Sequence, residues 1–141
     1  MILYLKHVAV PGSLLIIEEP EAHLHIANLA VMAKYIVKMV RAGLNILVTT
    51  HSSILVDVIG MYMQSSKADS KTRRRLKFAP DEYLEFGGVS PYSFQKSTGS
   101  GYDIKRIRKD VEEGIPQVGY VSTLTQLYDR RMKLESTLDG P

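Results

Sequence analysis

The chain has 141 residues, of which 45% are hydrophobic and 23% are charged, with a formal net charge of +3. These values are ordinary for a globular protein, and the length is sufficient for one domain with its own core. The absence of cysteine excludes a disulfide framework, a thiolate metal site and a cysteine nucleophile. No apolar run reaches the roughly 18 residues of a membrane span, so we expect a cytoplasmic protein without a membrane partner.

The first half of the chain predicts a strand–helix–strand unit. Residues 1–12 are a short apolar lead-in that ends at a Pro-Gly turn signal, and the apolar run LLII predicts a strand buried on both faces. Residues 21–42 have helical periodicity, with Pro20 in the first turn and Gly43 after the last. Residues 45–50 predict a second buried strand, which is parallel to the first because a helix-length crossover joins them.

The second half predicts more polar elements. Ser52 or Ser53 can cap a helix over residues 54–63. Further along, alternating apolar and polar residues on both sides of the STGSG loop predict an antiparallel hairpin, and residues 118–138 predict a terminal amphipathic helix. The apolar positions expected to be buried on this last helix are Leu124, Leu127, Tyr128, Met132 and Leu134.

These elements predict a single domain over residues 1–141. Its parts are a parallel βαβα core at residues 14–63, a basic connecting segment at residues 64–88, and the hairpin and terminal helix at residues 89–138. The fold class is therefore α/β.

Polar side chains that could bind a ligand or take part in catalysis follow both predicted parallel strands. Glu18 and Glu19 stand at the carboxyl end of the first, and His51 follows the second. Open α/β sheets bind ligands outside the carboxyl ends of their strands. Carboxylates there can hold Mg²⁺ or polarise a water molecule, and a histidine can contact a phosphate oxygen. The residues alone leave open a simpler interpretation, in which the glutamates complement a helix dipole and His51 is a capping or surface side chain.

The segments LLIIEEPEAHLH and NILVTTHSSIL resemble the Walker B, D-loop and His-switch region of ABC-class ATPases. The likeness is strongest to the RecF-like and OLD-like branch of soluble AAA-type ATPases and covers about residues 12–56. It implies part of a P-loop-NTPase sheet with parallel core strands, flanking helices and a C-terminal hairpin and helix. It also implies ATP and Mg²⁺ as cofactors.

The resemblance implies a role for each matched residue. Glu18 is similar to the Walker B acid that holds the Mg²⁺ shell, where the family more often has Asp. Glu19 is similar to the catalytic glutamate that orients the attacking water, and His51 is similar to the switch histidine that contacts the γ-phosphate. The segment that resembles the D-loop adds three candidate cofactor-binding residues: Glu21, His23 and His25.

The sequence lacks one motif that such a site needs. No G-x-x-x-x-G-K-[ST] P-loop occurs in the 141 residues, and in the resembled family it precedes the Walker B strand. We therefore expect the C-terminal portion of an ATPase, which is not competent alone because the P-loop amides and lysine supply the main grip on the phosphates. The expected partners are a P-loop-bearing chain or a second copy, which would cover the open edge of the strand at residues 45–50. The alternative is a non-catalytic remnant that serves as a protein- or nucleic-acid-interaction module.

Two further sites remain open at this point. The clustered glutamates and histidines could form a dedicated zinc or manganese site, although His23 and His25 would diverge at the start of a helix. The basic run at residues 67–77 contains candidate nucleic-acid contacts at Arg73, Arg74 and Arg75. A solvated loop is the other interpretation of this run, because few aromatic residues are interleaved with the cations.

Overall fold

The computed structural model of the chain describes residues 9–116 and 120–138. Residues 1–8 of the predicted lead-in and residues 118–119 of the predicted terminal helix lie outside these ranges. No helix in the described ranges is both long enough and apolar enough to cross a membrane. In chain order, the elements are β1 (Leu14–Glu18), α1 (Ile26–Arg41), β2 (Asn45–Thr49), α2 (Ser53–Ser65), α3 (Ser70–Arg75), a 3-10 turn (Phe86–Gly88), β3 (Tyr92–Lys96), β4 (Tyr102–Arg106) and α4 (Tyr120–Leu138).

The strands form two separate pairs within the described ranges. β1 pairs with β2 in parallel, and β3 pairs with β4 in an antiparallel hairpin. The predicted parallel unit and the predicted hairpin are therefore confirmed, as is the helix capped by Ser52, whose side chain accepts a hydrogen bond from the Leu55 N–H. The chain is a mixed α/β protein with a short parallel sheet.

The parallel sheet is covered on one face only by the described residues. The side chains of Leu15, Ile17, Ile46 and Val48 pack against the cores formed with the helices. On the opposite face Leu14, Ile16 and Leu47 are 59%, 56% and 53% exposed. We call this opposite face, with Glu18 and Thr49 at its upper end, the open sheet face. The prediction that both strands are buried on both faces is wrong for the described part of the chain.

Helix α1 begins at Ile26, five residues later than predicted. The backbone of Glu19 and His23 lies in the left-handed region, with φ of 42° and 64°, so the intervening residues form turns instead of a helix. Pro20 is buried in this turn and is not the first helical residue. His25 is the N-cap, and its Nδ1 accepts a hydrogen bond from the Ala27 N–H at 3.2 Å. Helix α1 begins after His25 because the acceptor on this side chain satisfies a free N–H of the first turn.

The main core lies between α1, α2 and two segments that follow them. Its buried members include Val37, Leu55 and Met63 from the helices, together with Leu84 and Ile115 from the later segments. Gly60 allows this approach, because a Cβ there would stand 3.3 Å from the backbone nitrogen of Ile115. Residues far apart in the sequence thus enclose the two helices that support the sheet.

The second half contains one helix that was not predicted, and one prediction about its burial is wrong. The connecting segment contains a short helix, α3, whose N-cap Asp69 accepts hydrogen bonds from the Lys71 and Thr72 N–H groups. The apolar residues of α4 are not buried within the described structure, because all five are 47–63% exposed: Leu124, Leu127, Tyr128, Met132 and Leu134.

Candidate functional site

The parallel pairing brings the carboxyl ends of β1 and β2 to one edge of the sheet. Glu18 stands opposite Thr49 in the register, and the Glu19 N–H donates a hydrogen bond to the Thr49 carbonyl at 2.8 Å. The pairing therefore continues one residue past β1. It fixes the backbone of Glu19 beside the loop that carries His51.

Glu19 and His51 face each other across this edge. The Oε1 of Glu19 lies 3.4 Å from the Nε2 of His51, and the two side chains are 54% and 89% exposed. An exposed pair of this kind contributes little to folding stability, even when the imidazole is charged. The contact is informative because it joins a carboxylate and an imidazole that are 32 positions apart in the sequence, where both remain open to a ligand.

Glu18 lies on the open sheet face, in line with the apolar side chains of Leu14 and Ile16. Its carboxylate is exposed. Mg²⁺ prefers oxygen ligands and commonly takes one or two carboxylates, with water and phosphate oxygens completing its shell. Among residues 9–116 and 120–138 no group of three or more His, Asp or Glu side chains could hold a metal ion. A role of Glu18 in holding Mg²⁺ stays a prediction.

Glu21 holds the loop that follows β2. Its Oε1 accepts hydrogen bonds from the Thr50 hydroxyl, from the His51 N–H at 2.8 Å and from the Ser52 N–H at 3.1 Å. Partial burial raises the pKa of this carboxyl, but the hydrogen bonds from Thr50, His51 and Ser52 outweigh it, and the pKa lies below its usual value. Glu21 is therefore a loop-anchoring carboxylate. A direct contact with a cofactor stays a prediction.

The second oxygen of Glu21 has a different environment. Oε2 is buried and has no hydrogen-bond partner among the described residues. An unpaired carboxylate oxygen in such a position costs free energy, so the three hydrogen bonds at Oε1 have to offset it. The hydrogen bonds at Oε1 therefore hold the Glu21 side chain against the loop that follows β2.

The two histidines of the predicted D-loop segment separate in the structure. His23 is exposed and has a left-handed backbone, whereas His25 caps α1 through its Nδ1. The cap explains the presence of a polar residue at position 25 without any ligand. Cofactor binding by either histidine stays a prediction.

The three arginines of α3 are also not equivalent. The Arg73 guanidinium lies 4.9 Å from the centre of the Tyr83 ring, and the Arg41 guanidinium lies 4.1 Å from the same ring. Arg73 is half-buried, whereas Arg74 and Arg75 are exposed. Cation–π contacts of this kind tie α3 to the end of α1. Only Arg74 and Arg75 present their cations to solvent.

Sequence reasoning missed the anchoring partners of Glu21 and a buried carboxylate. The sequence pattern could have indicated Thr50 and Ser52, because the polar run TTHSS directly follows an apolar strand. Nothing in the pattern indicated Glu82, since it lies in a polar connection. It is 3% exposed, and its Oε1 lies 2.6 Å from the Nζ of Lys34. Burial raises the pKa of Glu82, but the hydrogen bonds from Lys34 and the Ala79 N–H dominate and lower it.

Comparison with known proteins bears on the same region. A family model described as the AAA ATPase domain matches residues 5–56. The matched range contains β1, α1 and β2, and it includes Glu18, Glu19 and His51. The match supports an AAA-type ATPase fragment. No curated protein and no solved structure matches the chain.

Proposed function

We propose that the chain supplies the Walker B, D-loop and switch-histidine part of an ATP-hydrolysing site. The observation that carries the proposal is the meeting of Glu19 and His51 at 3.4 Å, at the carboxyl ends of two parallel strands. The match of residues 5–56 to the AAA ATPase domain supports it independently of this geometry. The finer likeness to ABC-class, RecF-like and OLD-like ATPases is part of the proposal.

Each of the three side chains has a distinct task in the proposed site. Glu18 would hold Mg²⁺ through its exposed carboxylate, and the ion, when bound, supplies neutralising charge at the phosphate oxygens. Glu19 would accept a proton from, or orient, the attacking water. Such a general base contributes about 10²–10⁴-fold to a rate. His51 would direct its Nε2, which already faces Glu19, to the terminal phosphate.

The D-loop role is proposed for the segment from Glu21 to His25. Glu21 joins this segment to the His51 loop through one carboxylate oxygen. A displacement of the segment would therefore move the backbone of His51. This connection supports a coupling between the two loops when a second subunit contacts the segment.

The proposed site is incomplete without a P-loop. The 141 residues contain no sequence that could supply the backbone N–H groups and lysine that grip the β- and γ-phosphates. The open sheet face supports the same view, because Leu14, Ile16 and Leu47 form an apolar surface directly below Glu18. A P-loop-bearing partner chain would bury this surface and complete the site, whereas a second copy could bury the surface but would bring no P-loop.

The isolated chain tests the first half of the proposal. We expect negligible binding of Mg-ATP, and no phosphate release above that of the Glu19→Gln variant. Isothermal titration and a phosphate-release assay measure the two quantities. A clear rate in the wild-type chain that Glu19→Gln abolishes would show that the P-loop is dispensable and would overturn this part of the proposal.

Complementation tests the second half. A P-loop-bearing segment of an AAA ATPase domain, joined before residue 1 or co-expressed, should restore hydrolysis that depends on both Glu19 and His51. The matched control is Glu85→Gln, which changes an exposed glutamate outside the proposed site. If the complemented complex binds ATP but its rate of hydrolysis is the same with Glu19→Gln, the chain would instead be a non-catalytic interaction module.

A further inference from the structure

The β3–β4 hairpin carries an exposed aromatic surface on one face. In the register, Tyr92 stands opposite Arg106, Phe94 opposite Ile104, and Lys96 opposite Tyr102. Side chains at alternate positions of a strand share a face, so these three rows lie side by side. We call them the hairpin face. Its four large apolar side chains are 54–74% exposed: Tyr92, Phe94, Tyr102 and Ile104.

Two cations lie on this surface. Each outer row pairs a tyrosine with a cation, Arg106 at one end and Lys96 at the other. The single carboxylate of the two strands, Asp103, lies on the opposite face, as does Lys105. Exposed rings next to unpaired positive charges suit a partner that is both aromatic and anionic.

We propose that the hairpin face binds single-stranded nucleic acid. Bases would stack on the rings of Tyr92, Phe94 and Tyr102, and phosphates would contact Lys96 and Arg106. Alternate residues of a strand are about 6.7 Å apart, so Tyr92 and Phe94 can each receive a separate base. Stacking platforms flanked by cations are the general means by which proteins hold single strands without reading sequence.

Other occupants fit the hairpin less well. A membrane-inserting hairpin needs an apolar tip, but the loop at residues 97–101 reads STGSG. A second copy would place two hairpins of like charge against each other. Double-stranded DNA keeps its bases stacked inside the duplex, so the exposed rings would have nothing to stack on. The combination of free rings and cations therefore favours a single strand.

Fluorescence anisotropy of the full chain tests the proposal. The probes are a labelled oligothymidine of about 12 nucleotides, within the usual site size, and a duplex of the same length. The single strand should bind more tightly than the duplex. Phe94→Ala and Tyr102→Ala should each weaken binding about 10-fold or more, as expected for the loss of one stacked base. Gln95→Ala, on the other face of β3, should leave the affinity unchanged.

Salt dependence tests the role of the cations. Lys96→Ala combined with Arg106→Ala should reduce the slope of log affinity against log salt by about 1.4, or about 0.7 for each lost phosphate contact. The control, Arg130→Ala with Lys133→Ala on α4, removes two exposed cations outside the hairpin face and should leave this slope unchanged. Phe94→Tyr keeps a stacking ring and should retain binding, which separates loss of stacking from loss of folding.

Several results would overturn the proposal. Equal affinity for duplex and single strand would do so, as would an unchanged affinity in a folded Phe94→Ala variant. Phosphatidylserine vesicles that bind the chain through Phe94, with no oligonucleotide binding, would reassign the face to membranes. Sedimentation that showed self-association lost in Phe94→Ala, again without oligonucleotide binding, would reassign it to a second copy.

Discussion

Glu21→Ala should destabilise the chain far more than substitution of either glutamate at the end of β1. The change removes the acceptor of three hydrogen bonds, from the Thr50 hydroxyl and the His51 and Ser52 N–H groups. A buried donor left without an acceptor costs about 1–3 kcal/mol. The His51 N–H is exposed and can bond to water, and the Ser52 N–H keeps the Thr50 hydroxyl oxygen as an acceptor at 2.9 Å. The cost therefore arises mainly from the partly buried Thr50 hydroxyl, and we expect a total of about 1–3 kcal/mol.

Urea unfolding monitored by circular dichroism measures this loss. At a slope of about 2 kcal/mol per molar, the unfolding midpoint should fall by roughly 0.5–1.5 M. The matched control is Glu19→Gln, whose carboxylate is exposed and should change stability by less than about 0.5 kcal/mol. Glu21→Gln keeps a neutral acceptor and should lie between the two. If Glu21→Ala and Glu19→Gln shift the midpoint equally, the anchoring role of Glu21 is wrong.

Three further predictions concern stability. Glu82→Ala should cost about 2 kcal/mol in urea unfolding, because it removes the acceptor of the Ala79 N–H and the partner of Lys34, whereas Glu85→Ala at an exposed site should cost little. Gly43→Ala should cost about 1–2 kcal/mol, because φ is +93° there and the new Cβ would stand 3.1 Å from that of Pro11; Gly99→Ala, with nothing within 4 Å, is the control. The pKa values of Glu21 and Glu82 are lowered in the folded state, so the unfolded chain binds protons first as the pH falls below about 4.5, and the free energy of unfolding decreases. In Glu21→Gln this loss of stability at acid pH should be smaller. An unchanged dependence of stability on pH in that variant would contradict the anchoring role of Glu21.

Apolar patterning was sufficient to predict the parallel pair, the hairpin and α2. Continuous apolar runs and a helix-length crossover leave few alternatives for β1 and β2. The start of α1 was not predictable from periodicity, because the turn uses left-handed backbone at Glu19 and His23, a conformation that is uncommon for residues other than glycine. A side-chain cap at His25 then sets the first helical residue.

Burial was predicted less well than the elements themselves. An apolar strand such as LLII predicts two covered faces, yet the described residues cover only the face that contains Leu15 and Ile17. The same applies to α4, whose apolar positions are exposed. An apolar pattern shows that a surface favours burial, but it does not identify what covers it.

The edge location of Glu18, Glu19 and His51 followed from the parallel pairing alone, because parallel strands end on the same side. The role of Glu21 did not, since it depends on which of several nearby glutamates reaches the loop after β2. Only the three-dimensional path of the turn decides that it is Glu21, and not Glu19, that binds the Ser52 N–H.

The most direct test of the proposed site is ATP hydrolysis by the chain complemented with a P-loop-bearing segment, measured for the wild type and for Glu19→Gln under identical conditions. We expect no activity without the segment. With it, phosphate release should fall by about 10²–10⁴-fold in Glu19→Gln, the range expected for loss of a general base. Hydrolysis by the complemented complex at the same rate in both proteins would contradict the assignment of Glu19 and, with it, the proposed site.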